Sequence, residues 1–326
     1  MFVGIREIKG ALGRFSLIVG VVGLITLLVV MLTGLTAGLG KQNTSALEAL
    51  DPQSVTFSNM DDPSYSTSRI ALGDVPAGAT PLGTGQTMLT TADDTEISAA
   101  VLGLPKGTAL PTGGVMGDEA VASASLGLTD GDEVGVGGAS ISVGEVADDL
   151  YYSHSPVLWV PTETWQAAMH TDAAGTVLLN SDDSGITLGQ SFNALPAYGS
   201  EQGSLKLIQG FLYAIAALVT IAFLTVWTIQ RTRDLSILRA LGASSSYLRK
   251  DALGQAALIL AIGVIGGGVL ALGLGAIAAQ VAPFSLNVIT VVAPPLALWV
   301  LGMAGAWLAT SSITKIDPQQ ALGGIA

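Results

Sequence analysis

QRTRDLSILRALGASSSYLRK, residues 230–250, is a basic segment with a long apolar run on each side. Its basic residues are Arg231, Arg233, Arg239, Arg249 and Lys250, against Asp234 alone. Leu235, Leu238 and Leu241 recur every three residues, which predicts a short helix with one apolar stripe. Gly242 predicts the end of that helix, and the serines after it can cap the next one. The segment therefore predicts two helices with a break between them at a membrane face, with a plain solvated basic loop as the alternative.

The composition indicates a membrane protein. Half of the 326 residues are hydrophobic and 12% are charged, which is too apolar for a soluble protein of this length. We predict four transmembrane helices at residues 15–38, 206–230, 251–282 and 289–313. A run of 24 residues reaches about 36 Å at about 1.5 Å per residue, enough to cross a hydrocarbon core of roughly 30 Å. The first run is too long for a signal peptide, so we predict that it is an anchor.

The distribution of charge predicts the orientation. Residues 39–205 hold 21 of the 25 acidic residues and three basic ones, Lys41, Arg69 and Lys106, a formal charge of −18. Basic residues concentrate instead in 1–14 and 231–250, so these segments, the tail 314–326 and both termini are expected in the cytoplasm. Residues 39–205 are then outside, and 283–288 form a short outer loop. The protein is expected to be multi-pass in the cell membrane, and the acidic balance argues against nucleic acid as a partner.

The outer segment is expected to fold as a mixed α/β domain inserted between the first two membrane helices. Asp130-Gly131 and Gly137-Gly138 are both candidates for hairpin turns, and Val157–Val160 predicts a strand that runs into a short helix beginning at Thr162. The segment has no cysteine, and Gly189-Gln190-Ser191 lacks the second glycine of a nucleophile elbow. We therefore expect no catalytic residues, no metal site in the protein itself and no intrinsic cofactor. The first segment, 1–14, suits an amphipathic helix in the inner membrane interface.

Two further patterns predict local features of the membrane helices. Gly34 and Gly38 form a small-xxx-small pair on which another helix could approach closely. Pro294 and Pro295 predict a kink or a helix start near the outer end of the fourth span.

The order of these parts resembles a known family. One span, a large outer domain, three more spans, the loop TIQRTRDLSILRALGAS (228–244) and the tail KIDPQQAL (315–322) resemble the FtsX-like, MacB-type permeases of ABC transporters. Within that family, YYSHSPVLWVPTETW (151–165) looks closest to the haem-exporting permeases of Gram-positive bacteria. The resemblance implies a transporter membrane subunit and no enzyme.

The resemblance also implies partners. In such permeases the loop 231–250 is a coupling helix that docks on a separate ATPase, and a permease homodimer pairs with two ATPase copies that bind ATP and Mg. The residues that would dock here are Arg231, Arg233, Asp234, Leu235, Leu238, Arg239, Leu241, Gly242 and Ala243. Gly40-Lys41 is followed by Gln42, so this chain lacks the phosphate loop that would bind ATP.

The cargo is expected to be hydrophobic and to enter from the outer leaflet or from outside, because the apolar runs within the spans, such as Leu207–Gln230 and 252–281, carry no charge for an ionic path. We predict haem, held between the first two spans. Candidate iron ligands are Met31, Glu201 and Tyr213, with His154 as the next candidate and Phe211 as an apolar wall. Two alternatives remain open: export of a lipoprotein, peptide or antibiotic, and a mechanotransmitting permease that signals to an outer partner without transport.

Overall fold

A computed structural model describes residues 12–230, 237 and 242–310. These residues fall into two compact units. The membrane unit contains the residues up to Gly38 and those from Ser204 onward, and the outer unit is Leu39–Gly203.

The helices follow in chain order. They are α1 (Leu12–Leu50), α2 (Thr162–Met169), α3 (Leu188–Ser191), α4 (Tyr198–Gln230), α5 (Ser245–Ala278) and α6 (Val288–Ala309). Within the described residues, α1, α4, α5 and α6 contain the segments long and apolar enough to cross a membrane. These four candidate membrane helices and the α/β region between the first two fit a membrane permease, and the predicted span boundaries remain predictions.

Three of these helices extend several residues beyond the predicted spans, and one of them is α5, which begins at Ser245. Helix α1 continues to Leu50 although its apolar run ends at Gly38, and α4 already begins at Tyr198. The extension of α1 stays helical because Ala46 and Leu47 are buried in the core of the outer unit. Hydropathy alone could not find these ends, since it detects contact with lipid and misses contact with a protein core.

The strands of the outer unit are β1 (Ser54–Phe57), β2 (Thr80–Thr91), β3 (Glu96–Leu104), β4 (Ala120–Ser123), β5 (Glu133–Val136), β6 (Ala139–Ala147), β7 (Tyr151–Tyr152), β8 (Ser155–Pro161), β9 (Val177–Asn180) and β10 (Ile186–Thr187). Of the two candidate hairpin turns, Gly137-Gly138 is confirmed, because it joins β5 to β6 and both glycines have positive φ. The prediction at Asp130-Gly131 was wrong, because this turn precedes β5 and does not join two paired strands. The predicted strand and the helix after it are confirmed as β8 and α2.

Six strands close into a barrel. They pair in the order β2-β3-β8-β4-β6-β5, and β5 pairs again with β2 through Leu89↔Val136. The pairs β3–β8 and β4–β6 are parallel and the others are antiparallel. Strands β9, β1 and β10 extend the sheet from the first part of β2. Successive residues of β3 and β8 belong to two different apolar clusters, so both faces of these strands are buried.

Helix α2 packs on the barrel through Trp165, which is fully buried. Gly83 of β2 and Gly103 of β3 are directly paired, and the Trp165 side chain lies against both. A Cβ at Gly103 would lie 2.5 Å from the Trp165 Cβ, so the position is closed to any larger residue unless Trp165 moves. The paired glycines thus form the surface against which α2 packs.

Glycines also govern packing in the membrane unit. A Cβ at Gly267 of α5 would meet the Gly23 carbonyl group and would lie 2.8 Å from the Thr26 Cβ, both on α1. A Cβ at Gly263 would lie 2.8 Å from Val22 Cγ1 on the same helix. Helices α1 and α5 therefore approach with their backbones almost in contact, as small residues permit in lipid.

The Gly34–Gly38 pair has a different partner from the one expected. The loop before α6 fills it: the Phe284 ring lies against Gly34, the Pro283 carbonyl lies against Gly38, and the Ser285 N–H donates to the Gly34 carbonyl at 3.0 Å. The prediction of a second helix at this pair was wrong, because a main-chain loop uses the same lack of side chains. Helix α6 then begins at Val288, capped by Asn287, so Pro294 and Pro295 lie inside the helix rather than at its start.

Candidate functional site

Three polar side chains from distant parts of the sequence meet in the outer unit. Asn43 lies on the polar extension of α1 and is fully buried, Glu201 lies in the first turn of α4, and His154 lies at the tip of the hairpin between β7 and β8. Asn43 Nδ2 is 2.9 Å from His154 Nε2 and 3.0 Å from Glu201 Oε2. The His154 and Glu201 atoms are 3.1 Å apart. We call this group the polar cluster.

The hairpin that carries His154 is attached to α1 by main-chain hydrogen bonds. The N–H of Ser153 donates to the Asn43 carbonyl at 3.1 Å, and the N–H of His154 donates to the Gln42 carbonyl at 2.9 Å. Ser45 Oγ accepts from the Tyr151 N–H at 2.8 Å. Ser153 and His154 both have positive φ, +47° and +66°, which the tight turn requires. The main chain at His154 is therefore fixed by these hydrogen bonds. The imidazole can move only by rotation about its side-chain torsions.

Water reaches part of the cluster. The side chain of His154 is 42% exposed and that of Glu201 is 23% exposed. Asn43 is buried, and its Oδ1 has no hydrogen-bond partner among the described residues. Its Nδ2 also lies 3.3 Å from the Leu39 carbonyl. The cluster is thus a buried amide between an imidazole and a carboxylate that both remain partly exposed to solvent.

Glu201 also affects its neighbourhood electrostatically. Burial raises the pKa of the Tyr198 hydroxyl, and the charges of Glu48 and Glu201 raise it further. The Glu48 carboxylate accepts a hydrogen bond from Thr44 Oγ1 at 2.6 Å. The surroundings of the polar cluster therefore carry negative charge from both α1 and α4.

In the membrane unit, the structure separates the faces on which the predicted cargo ligands lie. Gln209 Nε2 of α4 donates to Thr36 Oγ1 of α1 at 3.2 Å, which defines the side of α1 that faces α4. At about 100° per residue, Met31 lies about 140° around α1 from Thr36, on the side of Gly34. Met31 is half-buried. Met31 therefore does not face α4 of the same chain.

Tyr213 and Phe211 also point in different directions. Tyr213 packs against the apolar core of the membrane unit, together with Leu212 and Ala216. Phe211 is 60% exposed. Two residues apart on a helix, the two rings are separated by about 200° and cannot line one side of a site. The predicted set of Met31, Glu201, Phe211 and Tyr213 remains a prediction, and the described contacts bring together only Glu201 and His154.

Most of the predicted ATPase-docking residues lie outside the described residues: Arg231, Arg233, Asp234, Leu235, Leu238, Arg239 and Leu241. The predicted helix that these residues would form is therefore untested, and only the start of the helix after it is described. Gly242 has φ +99°, and Ser244 caps α5 by accepting from the Tyr247 N–H at 3.2 Å. Ala243 lies between them. Further along α5, the Arg249 guanidinium stacks on Trp307 of α6 at 4.8 Å from the ring centroid.

Sequence reasoning missed Asn43 and Gln209. Both are uncharged polar residues, one just after the first apolar run and one inside the second. A buried amide needs hydrogen-bond partners, so an Asn or Gln on the inner face of such a helix is the available signal. Among the described residues, no group of three or more His, Cys, Asp or Glu side chains could hold a metal ion.

The four candidate membrane helices and the α/β region between the first two fit a membrane permease. Residues 207–318 match the family described as FtsX-like permease C-terminal, so the chain carries an FtsX-like permease domain.

Over nearly its whole length the chain is also homologous to two curated proteins named "Putative hemin transport system permease protein HrtB". It is 25% identical to the one from Staphylococcus haemolyticus and 24% identical to one from Staphylococcus epidermidis. Each match covers 98% of this chain and 98% of the relative.

Proposed function

We propose that this chain is the permease subunit of an ABC-type exporter that extrudes haem with energy from a separate ATPase. The observation that carries the proposal is the match over 98% of both chains to permeases named for hemin transport, together with the FtsX-like domain at 207–318. Haem is a large, flat and mainly apolar molecule, and the uncharged apolar runs of the membrane helices offer it a lipid-side route.

The proposed ATPase contact is the segment 231–243. Its leucines recur every three residues in the sequence, and burial of each against a partner would be worth roughly 1.5–3 kcal/mol. The glycine break and the Ser244 cap set this segment apart from α5, so it can dock without distorting the membrane helix. ATP and Mg belong to the partner in this proposal.

The proposed homodimer uses the outward face of α4. Its exposed apolar residues alternate by three and four positions: Ile208, Phe211, Ile215, Leu218, Ala222 and, seven further, Ile229. This is the spacing of a seam between paired helices. The same face in a second copy would meet it about a two-fold axis, and two ATPase subunits would complete the assembly.

The cargo is tested with the whole complex in lipid nanodiscs. Haemin should stimulate ATP hydrolysis in a saturable manner, whereas a macrolide or a peptide should not. Stimulation by one of these other compounds and not by haemin would reassign the cargo, and no stimulation by any compound would favour a permease that signals without transport.

Docking is tested by the double variant Leu238→Asp, Leu241→Asp. It should no longer co-purify with the ATPase, because a buried unpaired carboxylate is costly. Ser246→Asp, an exposed position beyond the glycine break, is the matched control. Normal association of the double variant would rule out this segment as the docking surface.

A further inference from the structure

The loop between α5 and α6 is fastened to α1 on one side and to α6 on the other. The Ser285 N–H donates to the Gly34 carbonyl of α1 at 3.0 Å. On the other side, Thr290 Oγ1 of α6 lies 3.2 Å from the Ser285 carbonyl oxygen, and Asn287 Oδ1 caps α6 by accepting from the Thr290 N–H at 2.8 Å. We call residues 283–285 the clamp loop.

The clamp loop places one aromatic ring between α1 and α5. A Cβ at Gly34 of α1 would meet the Phe284 ring, and a Cβ at Gly275 of α5 would lie 2.9 Å from the Phe284 Cε1 atom. Both glycines are buried, and Phe284 is partly buried. Because neither glycine has a side chain, the ring lies directly against the backbones of the two helices. At this level α1 and α5 are therefore held apart by one aromatic ring.

The same two helices touch directly at another level. A Cβ at Gly267 of α5 would meet the Gly23 carbonyl group of α1. Helix α1 continues without interruption from Gly23 to Gly34, a distance of about 16 Å at about 1.5 Å per residue. The contact at Gly23 is thus a pivot, and the clamp loop fastens the part of α1 beyond it.

The hydrogen bonds allow the clamp loop to leave α1. Gly34 lies inside α1, so its carbonyl also belongs to the helical ladder, and the bond from Ser285 is a second one to the same oxygen. Ala282 and Leu286, on the two sides of the clamp loop, are exposed. Water can therefore replace the lost partner of the Ser285 N–H at the predicted outer surface. Both positions of the loop keep their backbone groups hydrogen-bonded, as a reversible contact requires.

Helix α5 connects the clamp loop to the proposed ATPase contact. It runs without interruption from Ser245 to Ala278, with the segment 231–243 before it and the clamp loop after it. A helix moves as a nearly rigid element, so a displacement at its start is carried to its other end.

We propose that the clamp loop is a reversible fastening of α1, seated when the ATPase holds no nucleotide and released when the ATPase binds ATP. While it is seated, α1, α5 and α6 form one block. After its release, the part of α1 beyond Gly23 turns about the contact with Gly267. The nucleotide control rests on the proposed function, because a separate ATPase has to drive this rigid-body movement.

The first experiment needs no ATPase. Hydrogen–deuterium exchange of the full chain in nanodiscs is compared between the wild type and Gly34→Ala, whose added Cβ displaces the ring. Gly20→Ala is the matched control, since a Cβ there meets no atom within 4 Å and the gain in helix propensity is the same. Amides of 281–287 should exchange about tenfold faster in Gly34→Ala, and those in the middle of α5 and α6 should not change.

Unchanged exchange of 281–287 in Gly34→Ala would overturn the proposal, because α1 would not be what holds the loop. Equal loosening of α5 and α6 would also overturn it, since the loop would then be part of the general helix packing. Phe284→Ala removes the ring without adding an atom to α1 and should give the same local increase in exchange. It decides the question if Gly34→Ala does not fold.

The second experiment uses the whole complex with its ATPase in nanodiscs. Exchange of 281–287 should be several-fold faster with a non-hydrolysable ATP analogue than without nucleotide, and Gly34→Ala should exchange fast in both states. Equal protection in both states of the wild type, in a complex that hydrolyses ATP, would overturn the nucleotide control and leave the proposed function intact. Failure of any ATPase to associate would overturn the proposed function and the nucleotide control together, and the first experiment would still decide whether the loop is a separable fastening.

Discussion

The outer unit and the membrane unit both use glycine to bring groups close to the backbone, but the groups differ. In the outer unit the paired Gly83 and Gly103 make room for the largest side chain available, Trp165. In the membrane unit Gly267 makes room for the backbone of α1 at Gly23.

The difference follows from the solvent. In water, burial of a large apolar side chain is strongly favourable, so removing side chains from a strand is worthwhile when a tryptophan fills the space. In lipid the surroundings are as apolar as the protein, so close backbone contact and dispersion supply the stability instead. Substitutions that disrupt the two kinds of glycine contact should therefore lower the free energy of unfolding by different amounts.

The predicted topology places the outer unit in water outside the cell and the membrane unit in lipid. Cysteine labelling tests this topology with an all-or-none result. The chain has no cysteine, so single replacements give no background. Ser184→Cys, exposed in the outer unit, should react with an impermeant maleimide in intact cells. Ser246→Cys, at the start of α5, should react only after the membrane is opened. The reverse pattern would invert the topology.

Loss of the tryptophan should have the largest energetic effect. Trp165→Ala should lower the free energy of unfolding of the outer unit by about 3–5 kcal/mol, since the cavity lies over two glycines that cannot fill it. Denaturant unfolding of the full chain in nanodiscs, followed by circular dichroism, measures this. Leu72→Ala, at a residue 78% exposed, is the control and should change little. Equal effects in the two variants would show that the packing of α2 against the two glycines does not determine the stability of the outer unit.

Filling the glycine contact of the membrane unit should cost less. Gly267→Leu should destabilise the contact of α1 with α5 by roughly 1–3 kcal/mol through overpacking. Gly266→Leu is the matched control, since a Cβ there meets no atom within 4 Å. Thermal unfolding in nanodiscs separates the two. A control as destabilised as Gly267→Leu would mean that helix propensity, and not contact, explains the glycines.

The smallest effect concerns alkaline pH. Burial raises the pKa of Tyr65 and of Tyr152 well above the ordinary value of about 10. Because the folded pKa is the higher one, their contribution to stability is complete below about pH 10 and is lost as the pH rises beyond it. Tyrosinate absorbance of the full chain should therefore rise in two stages, the second one coinciding with unfolding. The double variant Tyr65→Phe, Tyr152→Phe should lose that second stage; if it keeps it, other tyrosines are responsible.

Three features of the local structure could be predicted from local sequence patterns. The Gly137-Gly138 turn, the strand at Val157 and the helix at Thr162 each depend on neighbouring residues, and each is confirmed. Closure of the barrel was not predictable, because the pairing of Leu89 with Val136 joins strands that are far apart in the chain.

In the candidate site, too, contacts between residues far apart in the sequence could not be predicted. Glu201 and His154 were selected one at a time for their iron-binding chemistry, and nothing in the sequence indicated that they lie 3.1 Å apart. Asn43 was invisible because its role depends on burial. The faces of Met31 and Tyr213 could be related only once the hydrogen bond from Gln209 to Thr36 had oriented the two helices.

Closure of the barrel also determines how outer units can associate. An open sheet exposes a row of unpaired N–H and C=O groups that can recruit an edge strand from another molecule. Here β5 returns to β2, and the outermost strands β7 and β10 are two residues long, too short to template such an addition. The sheet therefore offers neighbouring copies only short edges on which an intermolecular β-sheet could grow.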